Sequence, residues 1–157
     1  MAAPEGEFPL AILTDSQKQK VKQMFEGQLQ GPVAVLLFHG DEEGPAAQFT
    51  AGAREIVSDL AALSEGRITL REVSLTGEAA EAARFNVTEG PALAMLDGEG
   101  RDQGLRFYGA PAGYEFMTLL DDLIDVSRGE TRLAEATRSQ IKGIAQDVVI
   151  QVFSTPG

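Results

Sequence analysis

Chemistry needs nucleophiles, acid–base groups or metal ligands, and this sequence is poor in all three. It has no cysteine and one histidine, His39. Without thiols there is no structural disulfide, no thiolate metal site and no cysteine nucleophile. With one histidine a His-rich metal site cannot be built, and a Ser-His-Asp triad has only His39 to use. His39 closes an apolar run, where a lone histidine reads as a loop or partly buried residue in preference to a base. Asp121, Asp122 and Asp125 fall at spacings that let them share one helix face, and a solvated acidic face is preferred there to a metal site. Gly98-x-Gly100-x-x-x-Gly104 lies between two strand-like runs rather than between a strand and a helix, which is the wrong context for a phosphate cradle. Asn86-Val87-Thr88 matches a glycosylation acceptor, but no secretory signal accompanies it. Phe107, Tyr108, Tyr114 and Phe116 gather around Gly109–Gly113, and core and turn packing is preferred there to a ligand surface. The residues alone therefore lead us to expect no catalytic residue, no metal and no cofactor.

Composition narrows the classes further. The 157 residues suit one domain, for which about 100–200 residues is usual. A domain of this size buries roughly two-thirds of its unfolded surface and folds without a disulfide or metal. With 43% hydrophobic and 24% charged residues, the mixture is that of a globular chain rather than a disordered one. The net charge of −11 repels phosphate backbones and anionic lipid, so neither nucleic acid nor membrane is expected as a partner. The acidic residues are spread along the chain, as on a solubilising surface; a basic docking partner is the other reading. No apolar run approaches the ~18–20 residues that span a bilayer. Met1–Pro9 lacks the basic and apolar regions of a signal peptide, which makes a cytoplasmic location the default expectation.

Hydrophobic period and punctuation give the elements. Met1–Pro9, with Pro4, Gly6 and Pro9, reads as an irregular arm. Thr14, Asp15 or Ser16 can cap a helix to about Leu29, with Val21, Met24, Phe25 and Leu29 on one face. Gly31-Pro32 stops it. Val33–Phe38 is a continuous apolar run, the pattern of a strand covered on both faces. After a loop at His39–Gly44, a helix starts at Pro45 or Ala46 and runs to Leu63. Its apolar positions are Phe49, Ala53, Ile56, Val57, Leu60 and Leu63, and Pro45 suits a first turn. Ile68–Val73 alternates as a strand. Glu78–Phe85 is a short Ala-rich helix, and Ala92–Leu96 a strand. Asp97–Gly100 turns into a strand at Leu105–Tyr108. Helices follow at Tyr114–Ser127 and Thr131–Ile144, then a last strand at Val148–Phe153, whose branched apolar residues suit a sheet.

The order helix, β-α-β-α-β-β-α, helix, strand resembles a thioredoxin-like α/β fold: a central mixed sheet of about four strands flanked by helices, with an extra N-terminal helix and a C-terminal helix plus strand. Two segments sharpen the likeness. FYGAPAGYEFMTLLDDLIDVS (Phe107–Ser127) carries G-x-P-x-G-x-E-F at Gly109, Pro111, Gly113, Glu115 and Phe116. DVVIQVFSTP (Asp147–Pro156) is similar to the opening strand of a second thioredoxin-like unit. Both resemble the N-terminal unit of the two-unit protein disulfide oxidoreductases, or glutaredoxin-like proteins. The N-terminal domain of the alkyl hydroperoxide reductase flavoprotein subunit has a similar plan. The resemblance implies a unit over 14–146, an irregular arm over 1–13, and a strand over 147–157 that would open a second unit.

It also implies where thiols would lie. Gly44-Pro45-Ala46-Ala47 has the shape of C-P-x-C with both cysteines replaced; matching helix phase instead puts the pair at Ala47 and Thr50. Either way no dithiol chemistry is possible within this chain. Asp41, Glu42 and Glu43 add negative charge that would disfavour a thiolate. The resemblance implies a cis Gly90–Pro91 peptide facing the Pro45 helix. Fold geometry is the plain role of that turn, and pairing of the Gly90 backbone with an extended peptide the sharper one. Two functions follow as expectations. One is a redox-inactive unit that binds or scaffolds in a thiol–disulfide system, docking a redox partner protein or a second thioredoxin-like unit. The other is the front portion of a longer oxidoreductase whose C-x-x-C lies beyond Gly157. The Val148–Phe153 strand is expected to pair with a sheet edge of its own unit or of a second copy, with a homodimer favoured.

Overall fold

A computed structural model describes residues 13–154. The irregular arm expected over 1–13 lies outside the described residues except for Leu13, which is buried. The element order is α1 (Asp15–Gln28), β1 (Val33–His39), α2 (Pro45–Leu63), β2 (Ile68–Ser74), α3 (Ala79–Arg84), β3 (Ala92–Leu96), β4 (Asp102–Tyr108), α4 (Tyr114–Arg128) and α5 (Glu135–Lys142).

The four strands form one mixed sheet in the order β2-β1-β3-β4. β1 runs parallel to β2, with Val33 opposite Ile68, and antiparallel to β3, with Leu36 opposite Ala94. β3 and β4 pair antiparallel through an irregularity between Ala94 and Leu96. Both faces of β1 are covered, which explains its unbroken apolar run. Val33, Val35 and Leu37 face a core built with Phe25 of α1, Ile56 and Leu60 of α2 and Leu119 and Leu123 of α4. Leu36 and Phe38 face a smaller core with Ala82, Phe85 and Val87.

Local chemistry sets the helix ends. At α1 the Thr14 hydroxyl accepts from the Gln17 N–H and the Gln17 side chain accepts from the Thr14 N–H, a reciprocal capping box. Arg67 donates to the carbonyl of Leu29 at 2.6 Å, fixing the exit of α1 against the start of β2. α4 stops at Gly129, a left-handed cap with φ 64°.

The C-terminal region departs from expectation. α5 is shorter than the helix foreseen at Thr131–Ile144 and has no buried residue. The strand foreseen over 147–157 is not found: its described part, residues 147–154, carries no strand and joins no sheet, and residues 155–157 lie outside the described residues. A strand exists only through a partner's hydrogen bonds, and in one chain this segment meets no sheet edge. Its apolar side chains are instead open, from Val148 at 61% exposed to Phe153 at 90%. Among the described residues, no helix is long and apolar enough to cross a membrane.

Candidate functional site

The end of β1, the start of α2 and the turn before β3 converge on one carboxylate. Glu42 accepts from the Gly40 N–H through Oε1, while its Oε2 accepts from the Thr50 hydroxyl at 3.3 Å. The same Oε1 lies 2.8 Å from where a Cβ on Gly90 would stand. That phantom Cβ would also sit 3.0 Å from the Phe38 carbonyl oxygen and 3.1 Å from the His39 Cα. A side chain at residue 90 would crowd the β1 backbone, so glycine suits the position. The peptide that follows, Gly90–Pro91, is cis, and Pro91 is buried. Its carbonyl accepts from the Gly109 N–H at 2.8 Å, which ties the turn to the loop after β4.

The residues that the resemblance sets at the thiol positions are placed as follows. Gly44 is the N-cap of α2, with φ 63° and ψ −135°, a backbone region open to glycine alone. Pro45 is the first helical residue, where its missing N–H costs nothing. Ala46 and Ala47 complete the first turn, half-buried, and Thr50 lies a turn deeper and is buried. Of the two placements, Gly44 with Ala47 is the pair in the first turn, where free N–H groups would steady a thiolate. Thr50 is inside the helix, with its hydroxyl committed to Glu42.

A pocket of about 190 Å³ opens at the β4–α4 corner, lined by Phe49, Tyr108, Gly109, Ala110, Ala112, Tyr114, Glu115 and Ser154. Phe49 is 49% exposed, Tyr108 51% and Tyr114 87%. The four aromatics expected to pack together therefore divide. Phe107 and Phe116 pack against the core, while Tyr108 and Tyr114 turn outward and join Phe49 as pocket walls. The division follows position: Tyr108 ends β4 and Tyr114 opens α4, beyond the reach of the sheet. Phe49, assigned to the core face of its helix by period, lies in the second turn of α2, past the cover of the neighbouring elements. Ser154 donates to the Glu115 carboxylate, drawing the C-terminal segment onto the pocket rim. Periodicity gives no signal for that contact, because 39 residues separate the two.

The remaining polar candidates have structural partners. His39 Nε2 stands 3.3 Å from Glu72 Oε2, and Arg54 grips both oxygens of the same carboxylate at 2.7 and 2.8 Å. The hydrogen bonds from Arg54 hold the Glu72 carboxyl below the usual range. Asp121 and Asp125 both pair with Arg132, at 3.1 and 3.2 Å. Asp122 is raised above its ordinary pKa by burial and then by Asp125 and Asp121. Among the described residues, no group of three or more His, Asp or Glu is placed to hold a metal ion. Gly98, Gly100 and Gly104 lie in the β3–β4 hairpin, where the Asp97 carboxylate, rather than a phosphate, takes the N–H groups of Glu99 and Arg101.

These features define a thioredoxin-like fold in which α2 opens with Gly44, Pro45, Ala46 and Ala47. Solved structures share the architecture. A cysteine-to-alanine variant of the alkylhydroperoxide reductase AhpF from Enterococcus faecalis matches with a TM-score of 0.72 at 21% identity, over 83% of this chain and 60% of that one. The N-terminal N/C domain of AhpF from the same organism matches at TM-score 0.71 and 21% identity, again over 83% and 60%. A protein disulfide oxidoreductase from Aeropyrum pernix K1 matches at TM-score 0.69 and 20% identity, over 84% of this chain and 56% of that one. The chain thus spans less than two-thirds of the length of each. No family model and no curated protein matches the sequence.

Proposed function

We propose that this chain is a redox-inactive thioredoxin-like unit that binds or scaffolds a partner within a thiol–disulfide oxidoreductase system. One observation carries the reading: an aromatic-walled pocket stands open beside the cis Gly90–Pro91 turn and the start of α2, while the thiol positions hold Gly44 and Ala47 or Ala47 and Thr50. The scaffold that aligns a target is kept and the nucleophile is gone. The acidic loop Asp41–Glu43 would further oppose a thiolate at the helix start.

The test is reduction of insulin disulfides by dithiothreitol with and without the purified chain. The rate should equal the blank, and catalysis would refute redox inactivity. Binding is tested separately, by the peptide titrations below.

The exposed apolar segment Val148–Phe153 favours a second reading, in which this chain is the front portion of a longer oxidoreductase and the segment belongs to a further unit. A gene that continues in frame to Cys-x-x-Cys supports that reading, and a stop codon directly after Gly157 rejects it.

A further inference from the structure

The binding reading leaves open which side chain the pocket takes. Its volume of about 190 Å³ is below the ~300–1,000 Å³ usual for small-molecule and cofactor sites. It suits one long side chain of a partner. Three aromatic rings, Phe49, Tyr108 and Tyr114, supply walls whose faces attract cations. The carboxylic side chain in the lining is that of Glu115, in the first turn of α4. Its hydrogen-bond partner is the Ser154 hydroxyl, a neutral donor, and among the described residues no cationic side chain pairs with it. Among the described residues no lysine or arginine lines the pocket. The loop leading into α2, whose Phe49 forms one wall, is Asp41-Glu42-Glu43, and Glu89 precedes the Gly90 turn. The whole chain carries −11. A cationic group is thus drawn toward this face and finds aromatic walls and a carboxylate inside it.

We propose that the pocket receives the guanidinium or ammonium end of an arginine or lysine side chain, presented by an extended basic segment of a partner protein. The assignment rests on the binding role proposed above. On entry the cation replaces the Ser154 hydroxyl at Glu115 and stacks on Tyr114 or Tyr108.

The chain supplies its own reporter. It has no tryptophan and two tyrosines, Tyr108 and Tyr114, both in the pocket lining. Tyrosine emission of the full chain is titrated with two blocked pentapeptides identical except for a central arginine or glutamine. The arginine peptide should saturate the signal and bind about tenfold more tightly than the glutamine peptide. Its affinity should fall as salt is raised. Glu115→Gln should reduce the preference to about twofold or less while circular dichroism stays unchanged. Tyr114→Ala, at a residue 87% exposed, should weaken arginine binding without unfolding, with shifts in the NMR spectrum as readout. Equal binding of the two peptides would overturn the cationic assignment and leave the binding role standing. So would a full arginine preference in Glu115→Gln. No response to either peptide at millimolar concentration would overturn the binding role, and this assignment with it.

Discussion

Gly90 and Asp122 are single residues whose surroundings set measurable costs. A methyl group at residue 90 meets the Phe38 carbonyl and the His39 Cα at 3.0 and 3.1 Å, and backbone cannot swing aside as a side chain end can. Gly90→Ala should therefore destabilise by about 1–3 kcal/mol, the usual cost of forcing extra volume into a packed site. A lowered urea midpoint with an unchanged slope would show it; an unchanged midpoint would mean that the turn and β1 are less closely apposed than these distances require. Asp122 works in the opposite sense to a stabilising carboxylate. Burial, then Asp125 and Asp121, raise its pKa from the ordinary 3.8. Its folded form holds the proton more tightly than its unfolded form, so its ionisation at neutral pH costs stability. That cost fades as pH falls through the raised value toward 3.8. Glu72 and Asp102 have lowered values, from hydrogen bonds to Arg54 and Arg106 respectively, so their contributions persist until lower pH. Asp122→Asn should raise the melting temperature at pH 7 and remove part of the gain seen on mild acidification. No change at pH 7 would count against a destabilising charge at this half-buried position.

At the scale of elements, the sheet edge depends on one arginine. Arg106 on β4 donates from Nε and Nη2 to the Phe85 carbonyl at 3.1 and 2.9 Å and pairs with Asp102 at 2.8 and 2.6 Å. It also lies 5.4 Å from the Phe85 ring centre. A lysine cannot hold two acceptors in a planar fork. Arg106→Lys should cost about 1–2 kcal/mol, read from the denaturant midpoint, and should loosen the segment after α3 in amide exchange. The elements themselves were largely legible in the sequence. The unbroken Val33–Phe38 run, Pro45 at a helix start and the Asp97–Gly100 turn each state a local rule that tertiary contacts then obey. The misses have physical causes. Val148–Phe153 has the composition of a strand, but a strand needs a paired edge and composition cannot supply one. The Leu105 strand begins earlier, at Asp102, because pairing with β3 outweighs the weak strand preference of Asp102, Gln103 and Gly104. In the candidate site, Gly44, Pro45 and Gly90-Pro91 were visible as a motif. The pocket was not: helical period marks Phe49 as apolar-faced but cannot tell that its turn overhangs the core. Glu42 was readable as a charge, whereas its bonds to Gly40 and Thr50 exist only after folding.

The whole molecule is electrically lopsided. Residues 129–154 contain Glu130, Glu135 and Asp147 against Arg132, Arg138 and Lys142, so the −11 resides in the rest of the chain. The neutral region is also where Ile141, Ile144, Val148, Val149, Ile150, Val152 and Phe153 lie open. We propose that it associates with a second copy, because a neutral apolar segment can approach a like-charged body with little repulsion. Light scattering should show the intact chain as a dimer at micromolar concentration and a chain ending at Gln146 as a monomer. Two monomers would refute the association, and two dimers would move the contact elsewhere.

Whether the chain is a binding unit at this site is decided by amide chemical-shift mapping. The intact chain would be titrated with the blocked arginine pentapeptide under reducing conditions. Saturable shifts are expected at Gly90, Gly109, Ala110 and Tyr114, with β2 and α5 silent. A spectrum unmoved at those positions, or shifts confined to residues remote from the Gly90–Pro91 turn and the Phe49–Tyr114 pocket, would contradict the binding role.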